Sequence, residues 1–343
     1  MSLKHSRRAT LAVFGIILLS LAFLFSFLNT IFDELRRRPA LTFGLTFSPS
    51  YATSLGLDWR QIFISTLDDL QVRLLRLPAY WEDLEPVRGN YRFEDLDWML
   101  EEAGQRGAKV LLAIGFKLPR WPECHAPAWA HELPLEERQA EILRLLRTLV
   151  TRYGQNQTII AWQVENEPLL EFFGSCPEPD REFLKQEVAL VRSLDHRPIV
   201  VTESGELSTW LRTVTVSDML GISMYRVSWN PYLGYIYYPL SPGFYRRRAQ
   251  AVQPLTKKIL VTELQAEPWV PAGILNTTLE EQFQSMNAER LKDNISFVRR
   301  AGFSEVFLWG VEWWYWLALK QSDSSMWDLG RQIFSQSAPL RGY

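Results

Sequence analysis

Eight short apolar runs recur between residues 41 and 309, and amphipathic stretches separate them. Most runs are rich in Val, Ile, Leu and Phe without polar alternation, which is typical of parallel strands buried on both faces. We number the predicted strands 1 to 8. They cover Leu41–Phe47, Val72–Leu77, Lys109–Ile114, Thr158–Val164, Pro198–Thr202, Met219–Met224, Ile259–Thr262 and Glu305–Trp309.

The stretches between the runs have the spacing of helices that bury one face. Residues 96–103 and 142–149 each show apolar side chains at i, i+3, i+4 and i+7, with charges elsewhere. Residues 180–195 and 279–300 follow the same pattern less regularly. Gly302 stands where the last of these helices would end.

Eight strand–helix repeats in about 300 residues predict an α/β fold, the closed (β/α)8 or TIM barrel. The competing fold is an open, doubly wound sheet. A sheet of that kind that binds nucleotides carries a glycine-rich phosphate loop after its first strand, and no such loop is present. No flexible linker interrupts residues 40–343, so we predict one domain.

A separate apolar segment precedes the barrel pattern. Residues 9–32 carry no charge, and as a helix they would span roughly 36 Å, enough to cross a hydrocarbon core of about 30 Å. A cleaved signal peptide has a shorter apolar region. We therefore expect residues 1–39 to form a cytoplasmic tail, an uncleaved signal-anchor transmembrane helix and a short linker.

The orientation of this segment is weakly encoded. Three basic residues between positions 4 and 8 are matched by three at positions 36–38, so the positive-inside rule is nearly balanced. Short amino-terminal tails usually stay in the cytoplasm. The expectation is therefore a membrane-anchored protein whose large domain is extracytoplasmic, either periplasmic or at the cell surface.

Composition narrows the possible partners. A formal net charge of -2 gives no sign of a nucleic-acid partner. The histidines and cysteines form no clustered ligand set, so neither a metal nor another cofactor is expected. The 14 tryptophans slightly favour a carbohydrate ligand, because aromatic faces stack on sugar rings, although they also fill cores. Nothing in the sequence indicates an oligomeric state.

Polar and aromatic residues follow the carboxyl ends of the predicted strands, where this barrel places its active sites. Charged side chains are rarely buried unless they are paired or functional, although an acidic surface loop is the alternative for the segment VENEPLL that ends strand 4. In chain order the candidates are Arg76, Trp81, Phe116, Lys117, Trp121, Glu165, Asn166, Glu167, Glu203, Tyr225, Glu263, Trp309, Glu312 and Trp313.

Two carboxylates across a barrel mouth are what glycoside hydrolysis requires. One is protonated and gives its proton to the leaving oxygen, and the other is ionised and attacks the anomeric carbon. Arg76 would keep Glu263 charged, and Tyr225 would donate a hydrogen bond to the same group. Asn166, beside Glu167, would bind a sugar hydroxyl.

These residues resemble the pattern of clan A of the glycoside hydrolases. The clan is marked by Asn-Glu-Pro after strand 4, here residues 166–168, and by a Glu ending strand 7, here Glu263 in LVTELQAEPW. Residues 72–100, VRLLRLPAYWEDLEPVRGNYRFEDLDWML, are similar to the strand 2 region of several of its families. Tyr225 matches the clan's strand 6 tyrosine and Trp309 its strand 8 tryptophan.

The resemblance covers residues 41–316 and implies a retaining mechanism without a cofactor. Glu167 would be the general acid and then the general base, and Glu263 the nucleophile. The expected substrate is a β-linked oligo- or polysaccharide. A cell-envelope transglycosylase using the same residues and a non-catalytic sugar-binding barrel are the alternatives.

The sequence departs from one family of the clan. Many family 5 members carry histidines at the ends of strands 3 and 6, where this chain has Phe116 and Ser223. No family is therefore assigned, and the sugar, the linkage and endo or exo action stay open.

Four other carboxylates compete for roles at the strand ends. Glu165 is expected to support Asn166 from behind, and Glu203 either binds sugar or caps a helix. Glu267 is interpreted as a solvated loop charge. Glu312, among tryptophans, is a candidate substrate contact.

Five tryptophans are predicted on rim loops, where they either stack on sugar or fill loop cores. They are Trp81, Trp121, Trp229, Trp269 and Trp313. We expect two or three of them to line a groove.

Two cysteines, Cys124 and Cys176, follow strands 3 and 4. An even count is compatible with one disulfide, and two free thiols are the alternative. Adjacent barrel strands bring their loops together, which favours the disulfide.

Overall fold

Eight parallel strands close into a barrel in the order β1-β10-β9-β6-β5-β4-β3-β2, and β7 and β8 form a separate antiparallel ribbon. The computed structural model describes residues 39–171 and 174–340. The strands are β1 Thr42–Thr46, β2 Leu74–Pro78, β3 Lys109–Ile114, β4 Ile159–Val164, β5 Ile199–Glu203, β6 Met219–Met224, β7 Val227–Asn230, β8 Gly234–Tyr237, β9 Lys258–Gln265 and β10 Glu305–Trp309.

All eight predicted barrel strands are confirmed, three of them with unchanged bounds. The predicted strand 7 is longer than expected, because β9 continues to Gln265 and so includes Glu263. The β7–β8 ribbon was not predicted. It occupies only eleven residues, 227–237, and its aromatic residues at 229, 232, 235 and 237 show no regular strand alternation.

Helices surround the barrel and connect its strands. They are α1 Pro49–Ser54, α2 Trp59–Asp68, α3 Trp81–Leu84, α4 Glu94–Gln105, α5 Leu135–Tyr153, α6 Arg181–Leu194, α7 Leu211–Val214, α8 Pro242–Val252, α9 Leu279–Ser285, α10 Ala288–Ala301, α11 Val311–Lys320 and α12 Ser325–Ser335.

The apolar stripes predicted for the helices are the faces that pack on the barrel. In α5, for example, Ile142, Leu145, Leu146 and Leu149 are all buried. The helix predicted over residues 279–300 is two helices. Met286 is extended, and the Asn287 side chain accepts from the backbone N–H of Arg290 and starts α10.

The barrel interior opposite the active-site end is filled by apolar side chains. Leu74, Leu111, Ala161, Val200, Met219, Leu260 and Phe307 form this cluster. Phe307 on β10 fits because its neighbour in register on β1 is Gly44, where a Cβ atom would lie 2.7 Å from the Phe307 ring. In this layer of the barrel, the large side chain of Phe307 fills the space that Gly44 leaves free.

The predicted transmembrane segment, residues 9–32, lies outside the described residues. Within residues 39–171 and 174–340, no helix combines the length and the apolar character needed to cross a bilayer.

We predict that Phe307→Ala lowers the free energy of unfolding by about 3–5 kcal/mol, because removal of the buried ring leaves a cavity opposite Gly44, which has no side chain of its own. Urea denaturation followed by circular dichroism measures the change. Leu319→Ala, at a side chain that is 55% exposed, is the matched control and should cost less than about 0.5 kcal/mol. Equal losses in the two variants would contradict this account of the barrel core.

Candidate active site

A buried ion pair joins two strands that are distant in the chain. Arg76 on β2 donates from Nη1 to Oε1 of Glu263 on β9 over 2.8 Å, and their side chains are 0% and 7% exposed. The hydroxyl of Tyr225 donates to the other oxygen, Oε2, over 2.9 Å. Burial and Glu263 together raise the pKa of Tyr225 well above its usual value, so the phenol keeps its proton and acts as a donor.

The same guanidinium also orients Asn166. Arg76 donates from Nη2 to Asn166 Oδ1 over 2.7 Å and from Nε to Gln163 Oε1 over 2.7 Å. Thr202 Oγ1 donates to Asn166 Oδ1 as well, over 3.0 Å. Because the amide oxygen is engaged in this way, the Nδ2 donor of Asn166 is turned away from Arg76 and towards the open side of the site.

Glu167 stands in a different environment. Ser223 on β6 donates to its Oε1 over 2.7 Å. Burial raises the pKa of Glu167 well above its usual value, and the charge of Glu263 raises it further, whereas the Ser223 hydrogen bond works against them. Glu167 therefore retains a proton under conditions in which an ordinary carboxyl is ionised.

The backbone after β4 is strained in a way that aims these side chains. Glu165 and Glu167 have φ angles of 61° and 45°, the left-handed region that non-glycine residues rarely adopt. Their carboxyl groups accordingly point in different directions: that of Glu165 accepts from the backbone N–H groups of Phe116 and Lys117, over 2.6 and 2.5 Å.

The Glu165 carboxylate lies directly over Gly115, where a Cβ atom would come within 2.1 Å of Oε1. Behind it, Glu187 on α6 contacts the Glu165 carboxyl, and burial followed by the charge of Glu165 raises the pKa of Glu187 well above its usual value. The Glu165 carboxylate thus binds the backbone after β3, and its neighbour Glu187 is protonated.

Two cavities meet at Glu263. The small cavity, of about 190 Å³, is lined by Asn166, Glu167, Glu206, Ser223 and Trp229 among others. The wide cavity, of about 600 Å³, is lined by Tyr51, Arg120, Trp121, Glu267 and Trp309 among others. Four residues line both: Glu123, Tyr225, Glu263 and Trp269.

Three of the predicted rim tryptophans line these cavities. Trp269 is partly buried with its ring edge-on to Tyr225 at 5.4 Å, Trp229 belongs to β7, and Trp121 is 72% exposed. Trp309 also lines the wide cavity, but the Arg120 guanidinium covers one face of its ring at 4.1 Å. Only the opposite face of Trp309 is available to a ligand.

Three other residues that were predicted to contact substrate, Trp81, Trp313 and Glu312, line neither cavity. Trp81 and Trp313 are 0% exposed and lie in the cores of the loops and outer helices, with their indole N–H groups bonded to Glu85 and Gln282. Glu312 is also 0% exposed, because it accepts from the backbone of Ser48 and from Arg120. Their spacing after the strands looked suitable, but the side chains point into packed protein.

A buried cation that sequence analysis did not single out explains the position of Glu312. Arg120 lies between the rings of Tyr51, at 3.8 Å, and Trp309, and pairs with both Glu267 and Glu312. The interpretation of Glu267 as a solvated charge is therefore wrong: it is buried, and it also accepts from the Trp309 indole over 2.7 Å. No spacing rule links Arg120 to residues 147 and 192 positions away.

Glu203, at the end of strand 5, was predicted either to bind sugar or to cap a helix. Glu203 is buried and accepts from the Thr213 hydroxyl of α7, so it contacts the following helix and does not line either cavity.

Cys124 and Cys176 form a disulfide with their Cα atoms 5.4 Å apart, as predicted. The disulfide joins the loops after β3 and β4, and Glu123 directly precedes one of its two cysteines.

Ser223 and Glu123 were missed as members of the site. Ser223 appeared only as a departure from a family pattern, although its place near the end of β6 was a signal. Glu123 lies in an irregular loop, where sequence periodicity says nothing about direction.

Comparisons with known proteins agree with this architecture. A glycoside hydrolase of GH5_18 from Streptomyces cattleya, solved in complex with GlcNAc, is 15% identical with a TM-score of 0.53, covering 80% of this chain and 71% of its own. Xylanase XynB from Paenibacillus barcinonensis is 16% identical with a TM-score of 0.55, covering 79% of this chain and 84% of its own. This chain shares the (β/α)8 barrel fold of these enzymes.

Two relatives found by sequence match this chain over only part of its length. Beta-galactosidase BgaA from Clostridium cellulovorans is 25% identical in an alignment of 171 positions that covers 42% of this chain and 25% of that protein. The match to beta-galactosidase BglY from Alicyclobacillus acidocaldarius covers 20% of that protein at 26% identity. The matched part thus spans a quarter or less of these relatives. No family model matches the chain.

Glu165 and Glu187, the buried carboxyl pair behind the site, should make the stability of the folded protein depend on pH. The pKa of Glu187 is raised from 4.5, so the folded protein holds a proton that the unfolded chain releases. The stabilisation that this proton provides is complete below pH 4.5. It is lost as the pH rises through the pKa that Glu187 has in the folded protein. Glu187→Gln cannot ionise, so its Tm relative to wild type should increase with pH, as measured by thermal unfolding across the neutral and alkaline range.

Glu289→Gln, at an exposed side chain of α10, is the control and should shift Tm by the same amount at every pH. A Glu187→Gln curve parallel to that of wild type would contradict a protonated Glu187.

Proposed function

We propose that this chain is a retaining glycoside hydrolase that cleaves β-linked oligo- or polysaccharides by double displacement. One observation carries the proposal: a protonated carboxyl, Glu167, and a carboxylate held by Arg76 and Tyr225, Glu263, line one cavity at the carboxyl ends of the barrel strands. The fold shared with glycoside hydrolases supports the same conclusion.

In the first step Glu263 attacks the anomeric carbon. The glycosidic C–O bond breaks, and Glu167 transfers its proton to the leaving oxygen, so that the aglycone departs as a neutral alcohol. The product is a glycosyl ester on Glu263. Glu167 is now ionised, because its proton has left with the alcohol.

In the second step a water molecule attacks the same carbon from the side of Glu167. The carboxylate of Glu167 takes a proton from the water, and the ester bond breaks to return Glu263 as a carboxylate. Burial and the charge of Glu263 both favour the reprotonation of Glu167, which prepares it for the next cycle.

The two cavities suggest how a substrate lies. The leaving group needs the proton of Glu167, which lines the small cavity, so we place the aglycone there. The glycone then extends from Glu263 into the wide cavity, with Trp269 beside it and Trp121 at the rim. Asn166 Nδ2 is a donor for a hydroxyl close to the anomeric carbon.

We propose further that the domain acts outside the cytoplasm and is held at the membrane by residues 9–32. The Cys124–Cys176 disulfide supports an oxidising compartment. Protease accessibility of residues 40–343 in intact cells tests this location.

Substrate screening with the soluble part, residues 40–343, is the first experiment. Aryl β-galactosides head the panel, because the partial sequence relatives are beta-galactosidases, followed by other aryl β-glycosides and polysaccharides. Adding an acceptor sugar to the same assays distinguishes hydrolysis from transglycosylation. Hydrolysis of no member of the panel would contradict the proposed function.

Glu263→Gln is expected to reduce kcat by about a thousandfold or more, because the amide cannot form the glycosyl ester. Its fold should be retained, since the amide oxygen still accepts from Arg76, and circular dichroism checks this. A 2-deoxy-2-fluoro glycoside should add its sugar mass to the peptide that contains Glu263 in the wild type. An active enzyme labelled on a different carboxylate would rule out Glu263 as nucleophile, and the absence of any label and any turnover would favour a sugar-binding barrel.

Glu167→Ala is expected to slow a disaccharide about 10²- to 10⁴-fold but a dinitrophenyl glycoside much less in its first step, because that leaving group needs little protonation. Pre-steady-state release of dinitrophenol measures this step separately from hydrolysis of the ester. If both substrates lost the same factor in bond cleavage, Glu167 would not be the acid.

A further inference from the structure

Glu123 is a third carboxyl group at the junction of the two cavities. It lies in the loop between β3 and α5, directly before Cys124, and its side chain is partly buried. It lines both the small and the wide cavity together with Glu263. Neither step of the proposed reaction involves Glu123.

The position of Glu123 is held by its backbone. Its N–H donates to the carbonyl of Arg120 over 2.7 Å, and its own carbonyl accepts from the N–H of Leu118 over 2.7 Å. The next residue is fixed by the Cys124–Cys176 disulfide. These contacts fix the backbone from which the Glu123 side chain extends into the cavities before any substrate arrives.

Within the described residues, the Glu123 side chain makes one polar contact, with Asn166, whose amide faces the proposed position of the sugar. Asn166 Nδ2 lies 3.4 Å from Glu123 Oε2, at the outer limit of a hydrogen bond. Because Asn166 Oδ1 is engaged by Arg76 and Thr202, the Nδ2 donor can only face Glu123 and the cavities. A sugar hydroxyl placed near this amide would reach Glu123 as well.

The charges around Glu123 leave it protonated near neutral pH. Burial and the charge of Glu263 raise its pKa to about 8, while Lys117, the Asn166 hydrogen bond and Arg76 act in the opposite direction. A protonated carboxyl both donates and accepts, which suits a hydroxyl group.

A metal-binding role for this cluster is not supported. Among the residues that the structure describes, no group of three or more His, Cys, Asp or Glu side chains is arranged to hold a metal ion. A purely structural role would require closer partners for the carboxyl group than a single contact of 3.4 Å.

We propose that Glu123 is a substrate-contacting residue that hydrogen-bonds the glycone hydroxyl adjacent to the anomeric carbon, the same hydroxyl that Asn166 faces. The anomeric carbon lies between Glu167 and Glu263 in the proposed function, on which this inference rests. Arg76 bonds both Glu263 and Asn166, so we place the Asn166 amide beside the carbon next to the anomeric one. Glu123 thereby selects sugars that carry a free hydroxyl at that position.

The test compares Glu123→Ala and Glu123→Gln with wild type on two substrates. The probes are 2,4-dinitrophenyl β-D-galactopyranoside and its 2-deoxy analogue, or the corresponding pair of the aryl glycoside that the screen shows to react fastest. On the parent substrate, Glu123→Ala should lower kcat/KM about 10- to 100-fold, the effect of losing one strong hydrogen bond. On the 2-deoxy substrate the loss should be less than about threefold, since the partner is already absent.

Glu123→Gln keeps a donor and an acceptor in place and should recover most of the activity on the parent substrate. The matched control is Glu132→Ala, at an exposed carboxylate in the same loop, which should behave as wild type on both substrates. Circular dichroism and Tm establish that each variant is folded.

The outcomes separate the two proposals. Equal losses on the two substrates, or no loss on the parent substrate, would overturn the role of Glu123 while leaving the glycosidase intact. If wild type cleaves no glycoside, the proposed function fails, and the role of Glu123 fails with it.

Discussion

A single buried guanidinium determines the geometry of the site. Arg76 is fully buried inside the barrel, where an unpaired charge would be very costly, so its donors must all find acceptors. It finds them in Gln163 on β4, in Asn166 just after β4, and in Glu263 on β9. The requirement to satisfy one cation therefore brings the ends of three strands into a fixed arrangement before any substrate binds.

This arrangement separates the properties of two chemically identical groups. Glu263 faces Arg76 and Tyr225, which stabilise a negative charge, whereas Glu167 faces Ser223 and two other carboxyl groups in a buried setting. A common cavity can therefore hold a carboxyl that keeps its proton and a carboxylate paired with Arg76, the combination that the proposed mechanism requires. Neither role follows from residue type, since both are glutamates, and the surrounding donors and charges decide between them.

A second layer of buried charges supports the first. Arg120 neutralises Glu267 and Glu312 and covers one face of Trp309, so the wide cavity is bounded by a rigid group of paired side chains. Removal of one member would leave a partner charged and buried, which is more costly than the loss of a surface ion pair. The site thus depends on contacts that lie outside its cavities.

The sequence by itself determined the barrel, because buried parallel strands must be apolar and their spacing is visible in the chain. It also determined which strand ends carry Glu167 and Glu263, because strand order fixes which residues reach the mouth. Only the tertiary structure decided direction and pairing: Trp81 and Glu312 turn into packed protein, and Glu123 turns into the cavities from an irregular loop. Burial of a loop side chain depends on neighbours contributed by distant segments, and local sequence periodicity carries no information about them.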